Sequence, residues 1–366
     1  MNKPTAAGFL GFGHAVPETV RTNDFWGAKY AASHDTRKER DITMPVDLAQ
    51  VDTGNSARKV QLLAMRSVAN DPFHGAKERR VADAKTKCST LEIAAARKAL
   101  ERAGIEAKAL DLILTWSLPP DECMPSNAGI LQHALGATRA NTLGVDSACA
   151  SFMSAVAIAR AMIRDGQARY VLISMCAIHS RLLDFEDPAS VNFGDGAGAV
   201  VMGPVAEGYG IVETAFRTYG ELNEAICLGP VDDAPWYEGG SRLLVHSRKM
   251  AQGRKIVMKT AEYAVEAIGA VLDRARLTPS AITHYYSHQP VSWFNLATRM
   301  ATGLGHARTV DSFPTLGGMS AANIPVNLSL AQDANQLKDG DLAVLYACGA
   351  GFVWAAAVMR WGGQAR

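Results

Sequence analysis

Residues 144–152 run Gly144-Val145-Asp146-Ser147-Ala148-Cys149-Ala150-Ser151-Phe152, where an apolar, strand-like segment breaks at small residues and continues as a helix. The first turn of a helix presents unpaired backbone N–H groups and the positive end of the helix dipole. Both favour the thiolate form of a cysteine, which is the reactive form. We therefore predict that Cys149 is a catalytic nucleophile, against the commoner role of cysteine as a small buried hydrophobe.

The other five cysteines follow no catalytic or metal-binding pattern. They form no Cys-x-x-Cys pair and no His/Cys cluster at metal-ligand spacing, and the chain has no His-Glu-x-x-His motif and no phosphate-binding Gly-Lys-Ser/Thr loop. We expect no disulfide framework and no metal site. Small hydrophobic roles are predicted for Cys88, Cys123, Cys176, Cys227 and Cys348.

The composition is typical of a soluble globular enzyme. The 366 residues are 48% hydrophobic and 20% charged, with a formal net charge of +1. A balanced charge gives no reason to expect nucleic acid or an anionic membrane surface as a partner. Because no run of about 18 apolar residues and no secretory h-region is present, we expect a cytoplasmic protein without a membrane span.

The two halves of the chain repeat the same order of elements. Residues 89–92, Ser-Thr-Leu-Glu, have the spacing of a capping box and begin a helix that ends at Gly104, before an apolar strand at 110–115. A strand at 282–287 likewise follows a second helix, whose apolar face comprises Val257, Ala261, Val265, Ile268 and Leu272.

The repetition continues with the Cys149 helix, which precedes a strand at 170–174 just as a helix that begins at 317–320 precedes a strand at 342–346. Two such halves predict two equivalent helix starts that face each other at the centre of the molecule.

The domain boundary falls near the end of the first repeat. We assign residues 1–205 to an N-terminal half that carries the nucleophile and residues 206–366 to a C-terminal half. The segment from about 25 to 66 does not repeat, so it is an insertion or lid, or ordinary surface structure.

Among nine histidines, His288 has the setting of a catalytic partner. It closes the apolar strand at 282–287 and precedes Gln289-Pro290, so its ring is expected to project into a loop-lined centre. Surface or packing roles are predicted for His14, His34, His74, His133, His179, His246, His284 and His306.

Together these residues resemble the β-ketoacyl-acyl carrier protein synthase III family. The resemblance rests on Ala148-Cys149 with Phe152, His288-Gln289, and the runs at 193–198, 320–325 and 349–354. It implies the α/β thiolase fold, with two duplicated β-α-β-α-β-α-β-β halves in α-β-α-β-α layers. It also implies a homodimer, or a heterodimer with a related ketosynthase-like chain.

The resemblance implies a ping-pong acyl transfer. Cys149 accepts an acyl chain and His288 is its proton-transfer partner, while the backbone N–H groups of Cys149 and Ala350 form the oxyanion hole; a tight glycine turn is the alternative reading of the 349–351 run. No tightly bound cofactor is expected, because acyl-CoA or a phosphopantetheinyl carrier protein serves as substrate. By position, pocket residues are Met124, Phe152, Phe193 and Asn323.

One position departs from the family pattern. The family's catalytic asparagine, which with the histidine donates to the malonyl thioester oxygen, corresponds to Gly318. Asn323 is five residues further along, a helical rotation of roughly 500° and a rise of about 7.5 Å, so we do not transfer the role to it. Malonyl decarboxylation is therefore expected to be weak. A Cys-His pair without the asparagine is similar to the condensing subunit of alkylquinolone synthesis, which the runs at 180–185 and 288–290 also resemble.

The thioester donor stays open between coenzyme A and carrier protein. The positions that sandwich adenine in coenzyme-A-using members correspond to Ala69 and Phe73. Lys77, Arg79, Arg80 and Arg160 are candidates for phosphate contacts, with solvated surface charge as the alternative.

We predict a ketosynthase III-like acyltransferase of secondary metabolism that transfers its acyl chain without malonyl decarboxylation. The alternatives are ordinary decarboxylative condensation in fatty-acid or polyketide synthesis, acyl transfer to oxygen or nitrogen, and a catalytically silent partner subunit.

Overall fold

The computed structural model describes residues 6–27, 30, 57–232 and 234–364. Most of the predicted insertion at 25–66 lies outside these residues. The α-helix α1 (Ala57–Ser67) lies at the C-terminal end of this segment.

The first sheet contains five strands: β1 (Ala6–Ala15), β4 (Leu112–Leu118), β5 (Asn141–Gly144), β6 (Val171–Ile178) and β7 (Asp195–Val205). Their order across the sheet is β1-β7-β6-β4-β5. β4 pairs in parallel with β5 and β6, whereas β7 pairs antiparallel with both β6 and β1. The inner strands β6 and β7 are buried on both faces, which accounts for their continuous apolar sequence, whereas the edge strand β5 is exposed.

The second sheet repeats this arrangement. Its strands are β8 (Gly210–Thr218), β11 (His284–Ser287), β12 (Leu342–Gly349) and β13 (Val353–Arg360), in the order β11-β12-β13-β8. β11 pairs in parallel with β12, and the two other pairings are antiparallel. The second sheet therefore matches β4-β6-β7-β1 strand for strand, and β5 is the additional edge strand of the first sheet.

Two small antiparallel ribbons complete the strands. One joins β2 (Val20–Thr22) to β3 (Glu78–Arg80), and the other joins β9 (Cys227–Gly229) to β10 (Leu244–His246).

Helices form three layers around the two sheets. α4 (Ser151–Arg164) and α9 (Asn323–Asp333) share a core with residues of both sheets and form the central layer. α2 (Cys88–Ala103) and α3 (Ala128–Leu135) pack on the outer face of the first sheet. α6 (Thr260–Ala275) and α7 (Ser292–Ala301) cover the second sheet; α5 (Met250–Met258) and α8 (Phe313–Leu316) are shorter. The layers follow the predicted α-β-α-β-α order.

The spacing of the elements shows the duplication directly. Three pairs of elements begin 172 residues apart: α2 at Cys88 and α6 at Thr260, β4 at Leu112 and β11 at His284, and α4 at Ser151 and α9 at Asn323.

Each central helix is preceded by one turn of 3-10 helix with the same backbone. The turns are Ala148–Ala150 and Ser320–Ala322, and their first residues have φ of +50° and +52°. In the first, Ser147 N donates to Ser151 Oγ at 2.8 Å; in the second, Met319 N donates to Asn323 Oδ1 at 3.0 Å. The two turns are in contact, as the repeat predicts.

The predicted capping box at residues 89–92 is wrong. α2 begins at Cys88, with Lys87 as its N-cap, and Ser89 Oγ donates to Asp121 at 2.5 Å. Glu92 is fully buried and accepts hydrogen bonds from Ser117 Oγ at 2.9 Å and Asn127 Nδ2 at 2.7 Å. Tertiary partners have replaced the local reciprocal pair that the spacing favours.

Candidate active site

A cavity of about 820 Å³ lies where the two 3-10 turns meet. Its wall contains Cys149, His288, Gly318 and Ala350, together with the predicted pocket residue Phe193. Much of the remaining wall is apolar and includes Leu118, Val145, Ile226, Leu228, Val245 and Val291. An apolar cavity with a few convergent polar groups is typical of a small-molecule site.

Cys149 is partly exposed to this cavity at the centre of the first 3-10 turn. Burial raises the pKa of its thiol above the usual value, while the neighbouring Ser320 hydroxyl and Ala350 backbone act in the opposite direction. The net direction is opposite to the one predicted from the helix terminus, because the loss of hydration outweighs the local donors. Cys149 therefore needs a base to become a thiolate at neutral pH.

His288 follows the end of β11 and is 5% exposed. The pKa of its imidazole is lowered to about 3, mainly by burial and next by His179, and the Cys348 backbone opposes the change. Nδ1 is fully enclosed, so Nε2 is the ring nitrogen that faces the cavity. A neutral imidazole with an open Nε2 can accept a proton.

Ala350 lies in the turn between β12 and β13, against the start of the Cys149 helix. A Cβ on the preceding residue, Gly349, would lie 2.4 Å from the Ser147 carbonyl oxygen, so glycine is required for this close approach. The approach places the Ala350 backbone near the Cys149 thiol, whose pKa it lowers. Gly349 therefore permits the approach to Cys149 in addition to reversing the chain.

Gly318 provides no side chain to the cavity and has little room for one. Its N–H donates to the Asn192 carbonyl at 2.7 Å, and its own carbonyl accepts from Gly194 N at 3.1 Å. A Cβ on Gly318 would lie 2.9 Å from the backbone oxygen of Gln289, a separation that requires the backbone to move.

Asn323 is fully buried and lies outside the cavity wall, unlike the pocket position expected for it. Its Oδ1 accepts from Met319 N at 3.0 Å and from Gln289 N at 3.3 Å. The side chain therefore ties the loop of Gly318 to the loop of His288. The helical rotation assumed between residues 318 and 323 does not apply, because α9 begins only at Asn323.

Two other predicted pocket residues also lie elsewhere. Phe152 is fully buried in the central core and stacks on Phe9, with ring centroids 6.2 Å apart. Met124 is 83% exposed and is not part of the cavity wall within this chain.

His179 is the functional candidate that the sequence analysis missed. It was predicted to be a surface or packing residue, but it is 3% exposed and forms part of the cavity wall. Its Nδ1 lies 3.2 Å from the Gly194 carbonyl oxygen, and its ring packs on Phe193 with centroids 4.8 Å apart. The available signal was its place directly after the buried strand β6, which is the same signal that identified His288.

Three cysteines assigned to simple packing also reach the cavity: Cys123, Cys227 and Cys348. Burial and the neighbouring Cys149 raise the pKa of Cys348, so its thiol stays protonated.

Comparisons with known proteins agree with this site. Models of 3-oxoacyl-[acyl-carrier-protein] synthase III and of its C-terminal region match residues 143–220 and 272–361. Beta-ketoacyl-[acyl-carrier-protein] synthase III of Roseiflexus sp. (strain RS-1) is 35% identical over 296 residues, which cover 78% of this chain and 88% of the relative. A synthase III of Bacillus anthracis is 30% identical over 360 residues, with 97% and 99% covered.

The chain belongs to the β-ketoacyl-acyl carrier protein synthase III family. Its structure is similar to 3-oxoacyl-[acyl-carrier-protein] synthase III from Aquifex aeolicus VF5, with a TM-score of 0.76, 25% identity, and 97% and 100% of the two chains covered. The enzyme from Thermus thermophilus gives a TM-score of 0.73 at 29% identity, with 98% and 100% covered. Members of this family are acyltransferases that act as condensing enzymes, and the fold is the thiolase fold predicted from the sequence.

The candidate phosphate contacts of this family member differ in their surroundings. Arg79 is fully buried, where its Nε donates to the Val191 carbonyl at 2.6 Å and its guanidinium lies 4.4 Å from the centre of the Trp26 ring. Arg160 donates to the Val212 carbonyl at 2.8 Å. Arg80 is half-buried and Lys77 is exposed. Arg79 and Arg160 therefore have structural partners, as does Arg80, which donates to the Glu18 carbonyl at 3.4 Å, and Lys77 remains as a candidate.

Two absences concern only the part of the chain that the structure describes. Among those residues, no group of three histidine, cysteine or carboxylate side chains could hold a metal ion. None of the helices described there is long and apolar enough to cross a membrane.

Proposed function

We propose that this synthase III family member loads an acyl chain from a thioester onto Cys149 and transfers it to an acceptor without decarboxylating a malonyl unit. The observation that carries the proposal is Gly318, because a glycine stands where the family's catalytic asparagine is expected and the Gln289 carbonyl crowds any side chain there. Assignment to secondary metabolism follows from the same departure and stays a prediction.

The first half-reaction uses groups that converge in the cavity. The Cys149 thiol gives its proton to Nε2 of His288, and the sulfur attacks the thioester carbonyl. The developing oxyanion accepts hydrogen bonds from the backbone N–H groups of Cys149 and Ala350, which can each contribute about 2.7–4 kcal/mol to the transition state. The bond to the departing thiol then breaks, and that thiol leaves with a proton.

Decarboxylative condensation has a different requirement. As carbon dioxide leaves a malonyl thioester, negative charge accumulates on the thioester oxygen and needs hydrogen-bond donors. Loss of one such donor costs on the order of 100-fold or more in rate. With Gly318 in place, this chain lacks that donor, while every group used to load Cys149 is retained.

Acyl-CoA and a phosphopantetheinyl carrier protein are both proposed donors. Phe73 occupies one of the positions expected to sandwich adenine. It stacks on Tyr30 with ring centroids 5.3 Å apart, so this face of the Phe73 ring is not free to hold the base. We also propose a homodimer in which exposed Met124 reaches the partner's acyl pocket, as the family pattern implies; a heterodimer with a related ketosynthase-like chain is the alternative.

The test follows carbon dioxide from a malonyl thioester labelled in its free carboxyl group. The enzyme is first supplied with an octanoyl thioester, and Cys149→Ala provides the background. We expect consumption of the octanoyl thioester with no labelled carbon dioxide above the variant. Stoichiometric release with a β-ketoacyl product would establish ordinary condensation instead, and inactivity toward every thioester would favour a silent subunit.

A further inference from the structure

The hydrogen bond of His179, the second histidine of the cavity, defines which of its ring nitrogens carries the proton. A carbonyl oxygen only accepts, so the 3.2 Å contact with Gly194 O places the proton of neutral His179 on Nδ1. Nε2 then carries the lone pair. It has no partner among the described residues, and it is the ring nitrogen open to the cavity.

Burial keeps His179 in this neutral state. Loss of hydration lowers the pKa of its imidazole below the usual value, and this effect exceeds the opposing effects of the Gly194 carbonyl and Asp195. His288 faces the same cavity, so a positive charge on either ring disfavours a charge on the other. The Asp195 carboxylate is held by other groups, because it accepts from Ser180 N, Ser180 Oγ and Ala82 N.

His179 cannot therefore replace the missing asparagine, which is a hydrogen-bond donor. The cavity has lost a donor at Gly318 and contains an additional acceptor at His179 Nε2. These two features lie close together, since Gly194 links them: its N–H donates to Gly318 O at 3.1 Å and its carbonyl accepts from His179.

We propose that the acceptor of the acyl chain is a neutral amine or hydroxyl compound, and that His179 is the base that removes its proton. The inference rests on the proposed loading of Cys149. A malonyl unit brings no proton that must be removed and needs donors for its enolate, whereas an N–H or O–H nucleophile needs an acceptor for its proton and no enolate stabilisation. The mainly apolar wall requires that the rest of the acceptor be apolar.

The step balances without another reactant. The nitrogen or oxygen lone pair attacks the carbonyl carbon of acyl-Cys149 while its proton moves to His179 Nε2. The tetrahedral intermediate collapses, and the C–S bond breaks with its electron pair on the Cys149 sulfur. The proton of His179 returns to that thiolate through solvent, which regenerates the free enzyme and releases an amide or an ester.

The experiment separates the two half-reactions. Wild type is acylated with the N-acetylcysteamine thioester of octanoic acid, freed of donor, and chased separately with aniline, benzyl alcohol or a malonyl thioester. We expect octanoyl anilide or benzyl octanoate from the first two chases and no β-ketoacyl product from the third. The amide and ester arms identify which nucleophile is used.

The variants His179→Gln and His179→Asn test the base. Each is expected to load Cys149 at the wild-type rate and to slow the chase by roughly 10²- to 10⁴-fold, the usual contribution of a general base. The wild-type chase is expected to be independent of pH above about 6.5 and to slow in acid as the imidazole gains its proton. Exposed His133 supplies the matched control, His133→Gln, whose chase should equal wild type.

Each contrary result has a separate meaning. Failure of wild type to load contradicts the proposed function itself. Normal loading followed by transfer only to malonyl overturns the acceptor class alone. An unchanged chase in both His179 variants overturns the role of the base, and so does loss of loading in both, because His179 would then serve the first half-reaction or the fold.

Discussion

The two 3-10 turns at the centre of the molecule share a backbone and differ in what they present. In the first, Ala148 has the positive φ and is followed by Cys149, which reaches the cavity. In the second, Ser320 has the positive φ and is followed by Ala321, which is 2% exposed and packs in the core. The duplicated fold thus builds the same positive-φ turn twice, and only the first turn presents a thiol, the proposed nucleophile, to the cavity.

The difference shows that position in the fold does not by itself create reactivity. Both turns begin a central helix, yet the chemistry depends on partners from the opposite half. His288 and Ala350 come from the second half and face Cys149 of the first. The corresponding partner from the first half, His179, follows β6 as Ala350 follows β12. At these equivalent positions, the second half therefore supplies the backbone N–H of Ala350, and the first half supplies the side-chain acceptor of His179.

The largest expected effect comes from moving the nucleophile between the two turns. Cys149→Ala should reduce acyl transfer by roughly 10⁴-fold or more, because no other group forms the acyl-enzyme. Adding Ala321→Cys to that variant places a thiol at the equivalent backbone position, where core packing encloses it, and should restore nothing. Acylation is measured by peptide mass spectrometry. An adduct on residue 321 would show that the position in the fold alone suffices for acylation.

The next effect concerns the side chains that fix the two turns. Asn323→Ala leaves the N–H groups of Met319 and Gln289 without their acceptor, and should lower the free energy of unfolding by roughly 2–5 kcal/mol. Ser151→Ala removes the acceptor of Ser147 N and the donor to the Ala148 carbonyl, both half-buried, and should cost about 1 kcal/mol. Urea denaturation of both variants measures the difference. Equal losses would mean that the second turn has no special role in joining the loops.

A smaller effect is expected at Ser320, whose hydroxyl lowers the pKa of Cys149 against the effect of burial. Ser320→Ala should raise that pKa further and slow alkylation of Cys149 by iodoacetamide about tenfold at a fixed pH near 8, since only the thiolate reacts. Alanine is suited to this backbone, as Ala148 shows at the equivalent φ.

The alkylation rate should keep rising as the pH approaches and passes the usual thiol pKa. The groups near the thiol that could modify its pKa are Asp146, His288, Ser320 and Cys348. A plateau near neutral pH would show that the helix terminus, rather than burial, governs the thiol.

The last prediction compares the outer helices. Glu92 of α2 corresponds to Ala264 of α6, and burial raises the pKa of Glu92 to about 8. Because the folded state then holds a proton that the unfolded state releases near pH 4.3, stability should fall as the pH rises from about 5 to 8, by about 1 kcal/mol per pH unit. Glu92→Gln keeps the neutral hydrogen-bonding partner and should flatten this decline. If the stability of wild type and of Glu92→Gln declined equally with pH, the raised pKa of Glu92 would be contradicted.

Periodicity and element order predicted the duplicated fold because the central strands are buried and continuously apolar, and because small residues precede both central helices. The strand predicted at 342–346 lies within β12, and the strand predicted at 170–174 overlaps β6. Helical periodicity was less successful at 257–272, where the chain forms α5 and α6 and leaves Val257 and Val265 41% exposed. The position of a break between two helices depends on tertiary contacts, which the apolar pattern of one helix face does not reveal.

The candidate site was only partly predictable. Cys149, His288 and Gly318 follow recognisable elements, and all three reach the cavity. His179 was missed because its partner, the Gly194 carbonyl, belongs to a different loop. The direction of the Cys149 pKa was wrong because burial depends on chain segments from both halves, whereas the helix terminus is visible locally.

The most direct test of the account is the mass of the Cys149 peptide after incubation with an octanoyl thioester, followed by a chase with a malonyl thioester. The account predicts an octanoyl adduct on Cys149 that persists through the chase. Absence of the adduct, or its loss with formation of a β-ketoacyl product, would contradict it.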